Sequence, residues 1–393
     1  MMFAVRHLDP LSTMLTLVLL AFGWIMISSA TLVSQDASLS HAWTHGVYLA
    51  LGLTVFGIAI CVPLSLVEQF HRIAIAAALI VCVLVLLPGL GHTVNGAQRW
   101  IKLGGLTFQA SEFAKPALLI YLSGYLARSG ARQDVVLTDL LPPALAVTGL
   151  AALLLLQPDF GAVVVLAAMA IGMLFIAGTR LGYFLLLVGL AGAAIAVLVV
   201  VQPYRWARFV AFQDPFAYEF SSGYQLVQAL IAFGRGDWFG LGLGEGVQKL
   251  LYLPEAHNDF ILAVIAEELG IVGVLVVVGL LLTIALRAFR SGRLALVSGM
   301  PFAGYLCYGV GLLLAVQCLI NAGVNTGLLP TKGLTLPLVS YGGNSLIVCC
   351  GLLALVARTD IELAQLNTKG RSRKTRSKPR KSHSKERRRV VGD

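Results

Sequence analysis

The chain is a succession of continuous apolar runs separated by short polar stretches. Ten such runs lie at 11–33, 45–65, 72–90, 113–128, 139–157, 160–178, 182–201, 259–286, 298–322 and 343–358. A helix needs about 20 apolar residues to cross a bilayer core, and the runs are close to that length. None shows the period-two alternation of a membrane barrel strand. In lipid, each backbone N–H and C=O must find a partner inside the protein, and continuous apolar runs achieve this as helices. The pattern predicts an all-α integral membrane protein with about ten transmembrane helices. The longest polar connection, 202–258, becomes a large outer loop between the seventh and eighth spans. Within it, residues 224–233 place Leu226, Val227, Leu230 and Ile231 on one face opposite Gln225 and Gln228, which predicts an amphipathic helix.

Composition strengthens this reading. The chain is 58% apolar and 12% charged, whereas soluble domains carry roughly 25% charged residues. The net charge of +10 resides in a tail: residues 369–393 hold twelve Lys or Arg against Glu386 and Asp393, and the rest of the chain balances. The positive-inside rule puts such a tail in the cytoplasm, and an even number of spans brings the N-terminus to the same side. The expected organisation is a short cytoplasmic N-terminus (1–10), a membrane domain (11–358) and a basic, disordered cytoplasmic tail (359–393) attracted to anionic lipid. A ten-span body argues against nucleic acid as the tail's partner. Ser28-Ser29-Ala30 faintly resembles a signal cleavage site, but the apolar run continues to Val33, as in an uncleaved anchor. The six cysteines all lie within apolar runs and read as small core residues.

Charge on the opposite face needs a separate reason. Arg99, Lys102, Arg205, Arg208, Arg235, Lys249 and Lys332 fall there, in long connections, and an anionic ligand is one explanation. Five regions carry candidate chemistry, and each has a structural alternative. Arg99-Trp100 precedes Glu112 and Lys115, which share a helix face and can form an ion pair. Gln157-Pro158-Asp159-Phe160-Gly161 is a break between spans and also has turn chemistry. Arg205 and Arg208 suit bidentate contacts to a pyrophosphate or to lipid headgroups. Asp259 sits where water meets the bilayer; partial desolvation would make it a stronger base, while its position at a helix start suits an N-cap. Lys332, with the Ser340-Tyr341-Gly342-Gly343 turn, could touch a phosphate or serve packing.

These regions together resemble the SEDS family of bacterial shape, elongation, division and sporulation proteins. The strings carrying the resemblance are N-G-A-Q-R-W-I, F-Q-A-S-E-F-A-K, Q-P-D-F-G, G-Y-Q-L-V-Q-A-L-I-A, W-F-G-L-G-L-G, L-P-E-A-H-N-D-F-I-L-A-V-I-A-E-E-L-G and G-L-L-P-T-K-G-L-T-L-P-L-V-S-Y-G-G-N-S-L, in family order across 95–346. P-T-K-G-L-T-L-P looks more like the cell-division branch than the elongation branch. Departures are small: Ala110, Ala162, Asn258 and Asn344 replace the more usual residues, and none removes a charge. The resemblance implies a peptidoglycan glycosyltransferase that polymerises lipid II at the division septum of the bacterial inner membrane. Asp259 would be its general base. Arg99, Trp100, Glu112, Lys115, Arg205, Arg208, Lys332 and Ser340 would be substrate-binding residues. It further implies a class B penicillin-binding protein as partner, alongside other division-complex membrane proteins. A divalent cation, magnesium or manganese, could share the neutralisation of pyrophosphate, although no ligand cluster in the sequence demands one. A lipid II flippase or a non-catalytic scaffold of the division complex are the alternatives that the same spans and charges leave open.

Overall fold

The computed structural model describes residues 9–31, 38–94, 96–103, 106–129, 137–250, 252–331 and 333–376. Ten helices of sixteen residues or more lie where the apolar runs lie: α1 (Pro10–Ala30), α2 (Ser38–Ala59), α4 (His71–Leu86), α5 (Ala110–Ser129), α6 (Leu141–Leu156), α7 (Phe160–Ile176), α8 (Leu181–Val201), α11 (Ile261–Val297), α12 (Pro301–Asn325) and α13 (Gly343–Arg376). Shorter helices are α3 (Leu64–Gln69), α9 (Pro203–Gln213) and α10 (Tyr224–Gly236). By length and composition, six of the described helices can cross a membrane unaided, and α4 and α7 are shorter apolar helices. The exposed surface of α8 is entirely apolar and none of its residues is buried, which suits a helix facing lipid tails. The chain is a multi-pass membrane protein.

Helix α12 is the hub of the bundle. It packs against α11, α5 and α7, while α13 lies along α2. Small residues permit these approaches: the Cα of Gly292 in α11 faces Gly304 O of α12, where an added Cβ would stand 2.9 Å away. Helix α10 folds its buried face, Leu226, Val227, Ala229 and Ala232, onto α11 and α12. Its apolar side therefore packs on protein.

Three departures from the sequence pattern matter. First, the fold is not purely helical. Residues 91–109 form an antiparallel sheet, β1 (Gly91–Val94), β2 (Ala97–Leu103) and β3 (Leu106–Gln109), in the order β1-β2-β3. Second, α13 continues to Arg376, so residues 359–376, expected to be disordered, extend the last helix. Residues 377–393 and 1–8 lie outside the described residues. Third, α11 has 37 residues, about 55 Å at 1.5 Å per residue, nearly twice the ~30 Å hydrocarbon core.

That long helix is broken within. Gly270 has φ 69° and ψ −176°, a region essentially reserved for glycine. The break frees backbone groups, and the 237–242 segment takes them up. Leu241 N–H and Gly242 N–H donate to Glu267 O and Glu268 O, each at 3.0 Å, while Ile271 N–H and Val272 N–H donate to Asp237 O and Trp238 O at 2.9 and 3.2 Å. Four of the backbone groups at this break are thus satisfied within the protein.

Candidate active site

Asp259 lies two residues before α11, in the connection between α10 and α11, with its side chain partly accessible. The helix N-cap is Phe260 and makes no side-chain capping bond. Capping comes from another helix: Asn325 Oδ1 of α12 accepts from Ala263 N–H at 3.2 Å. The carboxylate of Asp259 accepts no hydrogen bond among the described residues, so the N-cap alternative is not realised. Its main chain is held firmly. Asn321 and Asn325 both donate to Asp259 O, at 2.9 and 3.0 Å, and Tyr341 N–H donates to His257 O at 2.9 Å. Gly333 lies against the carboxylate; an added Cβ there would stand 3.1 Å from Oδ2. A side chain there would press on the carboxylate and shift it by a few tenths of an ångström.

The electrostatics of the carboxyl are mixed. Burial pushes its pKa up to about 7, and the charges of Glu255 and Asp159 add to this, while Arg208 and Arg99 pull it down. The acid is thereby poised near neutrality, where a general base is most effective.

The arginines are positioned by main-chain carbonyls. Arg99, on β2, donates from Nε to Gln157 O at 3.0 Å and also grips Pro158 O. Gln109, at the end of β3, reaches Asp159 Oδ2 at 3.5 Å. The sheet therefore docks on the start of α7, where Asp159 caps the helix through Ala162 N–H at 3.3 Å. Arg208 donates to Thr331 O at 3.3 Å and lies 4.7 Å over the Tyr204 ring. Arg205 donates to Leu198 O at 3.1 Å and lies 4.9 Å over the Phe160 ring. Glu255, in the same connection, and Arg99, Asp159 and Arg208, from three segments far away in sequence, all act on Asp259. Trp100 is half-buried in β2, in register with His92 and Gln109. Lys332 lies outside the described residues.

Several sequence assignments change. Glu112 and Lys115 form a buried ion pair at 2.6 Å; Lys115 is 2% exposed and leaves no face for a substrate. Neither is among the charges acting on Asp259. Ser340 is buried, and its Oγ accepts from Leu336 N–H at 2.7 Å, so it closes its own turn. Arg235 and Lys249, grouped from the sequence with the basic residues awaiting an anionic ligand, each pair with an acidic side chain, Lys249 buried and Arg235 with 41% of its side chain exposed. Lys249 Nζ bonds Glu268 at 2.6 Å and Arg235 lies 3.4 Å from Glu267. The remaining carboxylate capacity of that acidic pair goes to Gly244, Val247 and Gln248 N–H groups and to Ser29 Oγ.

Asn321 and Asn325 were not singled out from the sequence. Their signal is two amides four residues apart in an apolar helix, which places both on one face. Beside Asp259 there is also a ring cluster: His41, His257 and Tyr341 stand 5.4 to 5.5 Å apart, with buried His45 5.9 Å from Tyr341. Among the described residues no group of three or more His, Cys, Asp or Glu is placed to hold a metal ion.

The model of the FtsW/RodA/SpoVE family, described as cell cycle proteins, matches residues 10–365. The chain belongs to this family. Family members similar to it include a probable peptidoglycan glycosyltransferase FtsW of Nitrosococcus halophilus, 48% identical over 350 residues, covering 88% of this chain and 90% of that one. Another of the same name, from Alcanivorax borkumensis, is 48% identical over 364 residues and covers 91% and 94%. Among solved structures, one from work on a peptidoglycan synthase complex that coordinates polymerization and crosslinking is 29% identical, with a TM-score of 0.75 and coverage of 91% and 99%. The Thermus thermophilus rod shape determining protein RodA is 29% identical, with a TM-score of 0.67 and coverage of 90% and 96%. The FtsW/RodA/SpoVE fold thus spans nearly the whole chain.

Proposed function

We propose that this chain is a peptidoglycan glycosyltransferase that polymerises lipid II during septal wall synthesis, with Asp259 as general base. The observation that carries the reading is the Asp259 carboxylate: uncommitted to any hydrogen bond among the described residues, with its pKa raised to about 7 by burial, and under the field of Arg208 and Arg99. The names of the FtsW relatives support the same chemistry.

In the proposed reaction, Asp259 takes the proton from a hydroxyl of the acceptor sugar. The freed oxygen forms a bond to the anomeric carbon of the donor chain. The bond from that carbon to the lipid pyrophosphate breaks, and the pyrophosphate leaves with the electron pair. Arg208 and Arg205, with Lys332, stabilise the charge that develops there. Among the described residues no group of three or more His, Cys, Asp or Glu is placed to hold a metal ion, and no step is assigned to a divalent cation.

The protein crosses the inner membrane ten times with both termini in the cytoplasm, and the Asp259 end faces outward, where lipid II is polymerised. A class B penicillin-binding protein crosslinks the product alongside it. Buried charge argues against transport of the same lipid: among the described residues Lys115 is held by Glu112, Lys249 by Glu268, and Glu267 lies against Arg235.

The test supplies labelled lipid II to the protein purified with its penicillin-binding partner, in detergent and in sealed vesicles. Glycan polymer in detergent, with no movement of lipid II between leaflets, is expected. Rapid movement between leaflets with no polymer would replace this reading by transport.

A further inference from the structure

We propose that Asn321 and Asn325 are positioning residues for Asp259, holding the peptide of the base and the backbone at Leu334 in one fixed frame. The inference rests on the assignment of Asp259 as base.

Both amides are on α12, 1% and 0% exposed, so each polar atom needs a partner within the protein. The partners belong to the site. Asn321 Nδ2 donates to Asp259 O at 2.9 Å and to Leu334 O at 2.7 Å. Asn325 Nδ2 donates to Asp259 O at 3.0 Å and to Asn321 O at 2.9 Å, while its Oδ1 takes Ala263 N–H at 3.2 Å. The carbonyl of Asp259 therefore receives two donors from a neighbouring helix, and the first turn of α11 is capped from that same helix.

Two consequences follow. An aspartate at this position would ordinarily turn its carboxylate onto free N–H groups of the helix start; with Asn325 on Ala263, the carboxylate stays free to accept a proton. Asn321 also bridges directly from the base's peptide to Leu334, next to Gly333, whose Cα faces the Asp259 carboxylate. At its other end the same segment is held by Arg208 on Thr331 O. One amide thus fixes the separation between the base's peptide and the backbone at Leu334. Displacement of a reacting group by about 1 Å can cost on the order of 100-fold in rate, so a frame of this kind matters to turnover more than to substrate affinity.

A double-mutant cycle with full-length protein, its penicillin-binding partner and labelled lipid II tests this. Asn321→Ala is expected to lower kcat by about 10- to 100-fold with KM within about threefold. In the Asp259→Asn background the same change should lower the residual rate no further, since its effect runs through the base. A purely structural role would reduce both backgrounds by the same factor and overturns the inference. If Asn321→Ala does not fold, Asn321→Gln keeps a buried amide and moves its donors by one methylene; wild-type kcat from that folded variant likewise overturns it. Full activity of Asp259→Asn would remove the base assignment and this inference together. Full activity of Asn321→Ala beside an inactive Asp259→Asn removes the inference alone.

Discussion

At the scale of single residues, the account turns on the protonation of Asp259. A base acts as the carboxylate, and with a pKa of about 7 roughly half is ionised at neutrality. Polymerisation should therefore rise with pH between about 6 and 8 and level off above. The positive charge of Arg208 holds that pKa down. Arg208→Ala removes it, so the rising limb of a pH–rate profile should move to higher pH and lipid II use should weaken. An unmoved limb would separate Arg208 from the base. The sequence exposed the charged members of this site because Asp259, Arg99 and Arg208 lie in unusual strings beside apolar runs. It hid the amides, whose role depends on which backbone α12 meets. It also could not show that Lys115 and Ser340 are buried and partnered within the protein, because burial is a tertiary property.

At the scale of elements, the break in α11 is the feature most exposed to test. Gly270→Ala would place a Cβ 2.3 Å from Trp238 O at φ 69°, and the glycine-only conformation adds its own strain. The thermal midpoint of the detergent-solubilised protein should fall, corresponding to a loss of about 3 kcal/mol or more. Lys249→Met should cost about 3–5 kcal/mol by the same measurement, because it leaves Glu268 buried and without its cation. An unchanged midpoint in either variant would show that the 237–249 segment does not brace the helix as described. Hydropathy located the long helices well, since length and apolar content are what a bilayer selects. It could not see the β1-β2-β3 sheet, whose strands are short and defined by pairing. Nor could it see that α13 runs on to Arg376: hydropathy marks where an apolar run stops, and a helix can continue past it into water.

At the scale of the whole molecule, chemistry and membrane attachment are separate. Asp259, Arg99, Arg208 and the two amides meet at one end of the bundle. At the other end, Arg287 pairs with Asp9 and Arg358 with Glu362, 2.8 Å apart in the latter case. Residues 377–393 carry seven Lys or Arg, each worth about 1 kcal/mol near an anionic surface. Deleting 377–393 should leave polymerisation in detergent within about twofold of the intact protein and reduce its preference for anionic lipid. A folded truncation that is inactive in detergent would tie the tail to the reaction. The membrane body was legible in the sequence because its signal is additive along the chain. The site was legible chiefly through motif resemblance, since three distant segments, carrying Arg99, Asp159 and Arg208, act on Asp259.

The most direct test of the whole account is the rate of glycan synthesis from labelled lipid II by Asp259→Asn protein, purified with its penicillin-binding partner and shown to be folded. Asparagine keeps the size of the side chain and removes the base. The rate should fall by at least about 100-fold, with thermal stability close to that of the unaltered protein because the carboxylate makes no hydrogen bond to lose among the described residues. Near-normal synthesis by the folded Asp259→Asn protein would contradict the account.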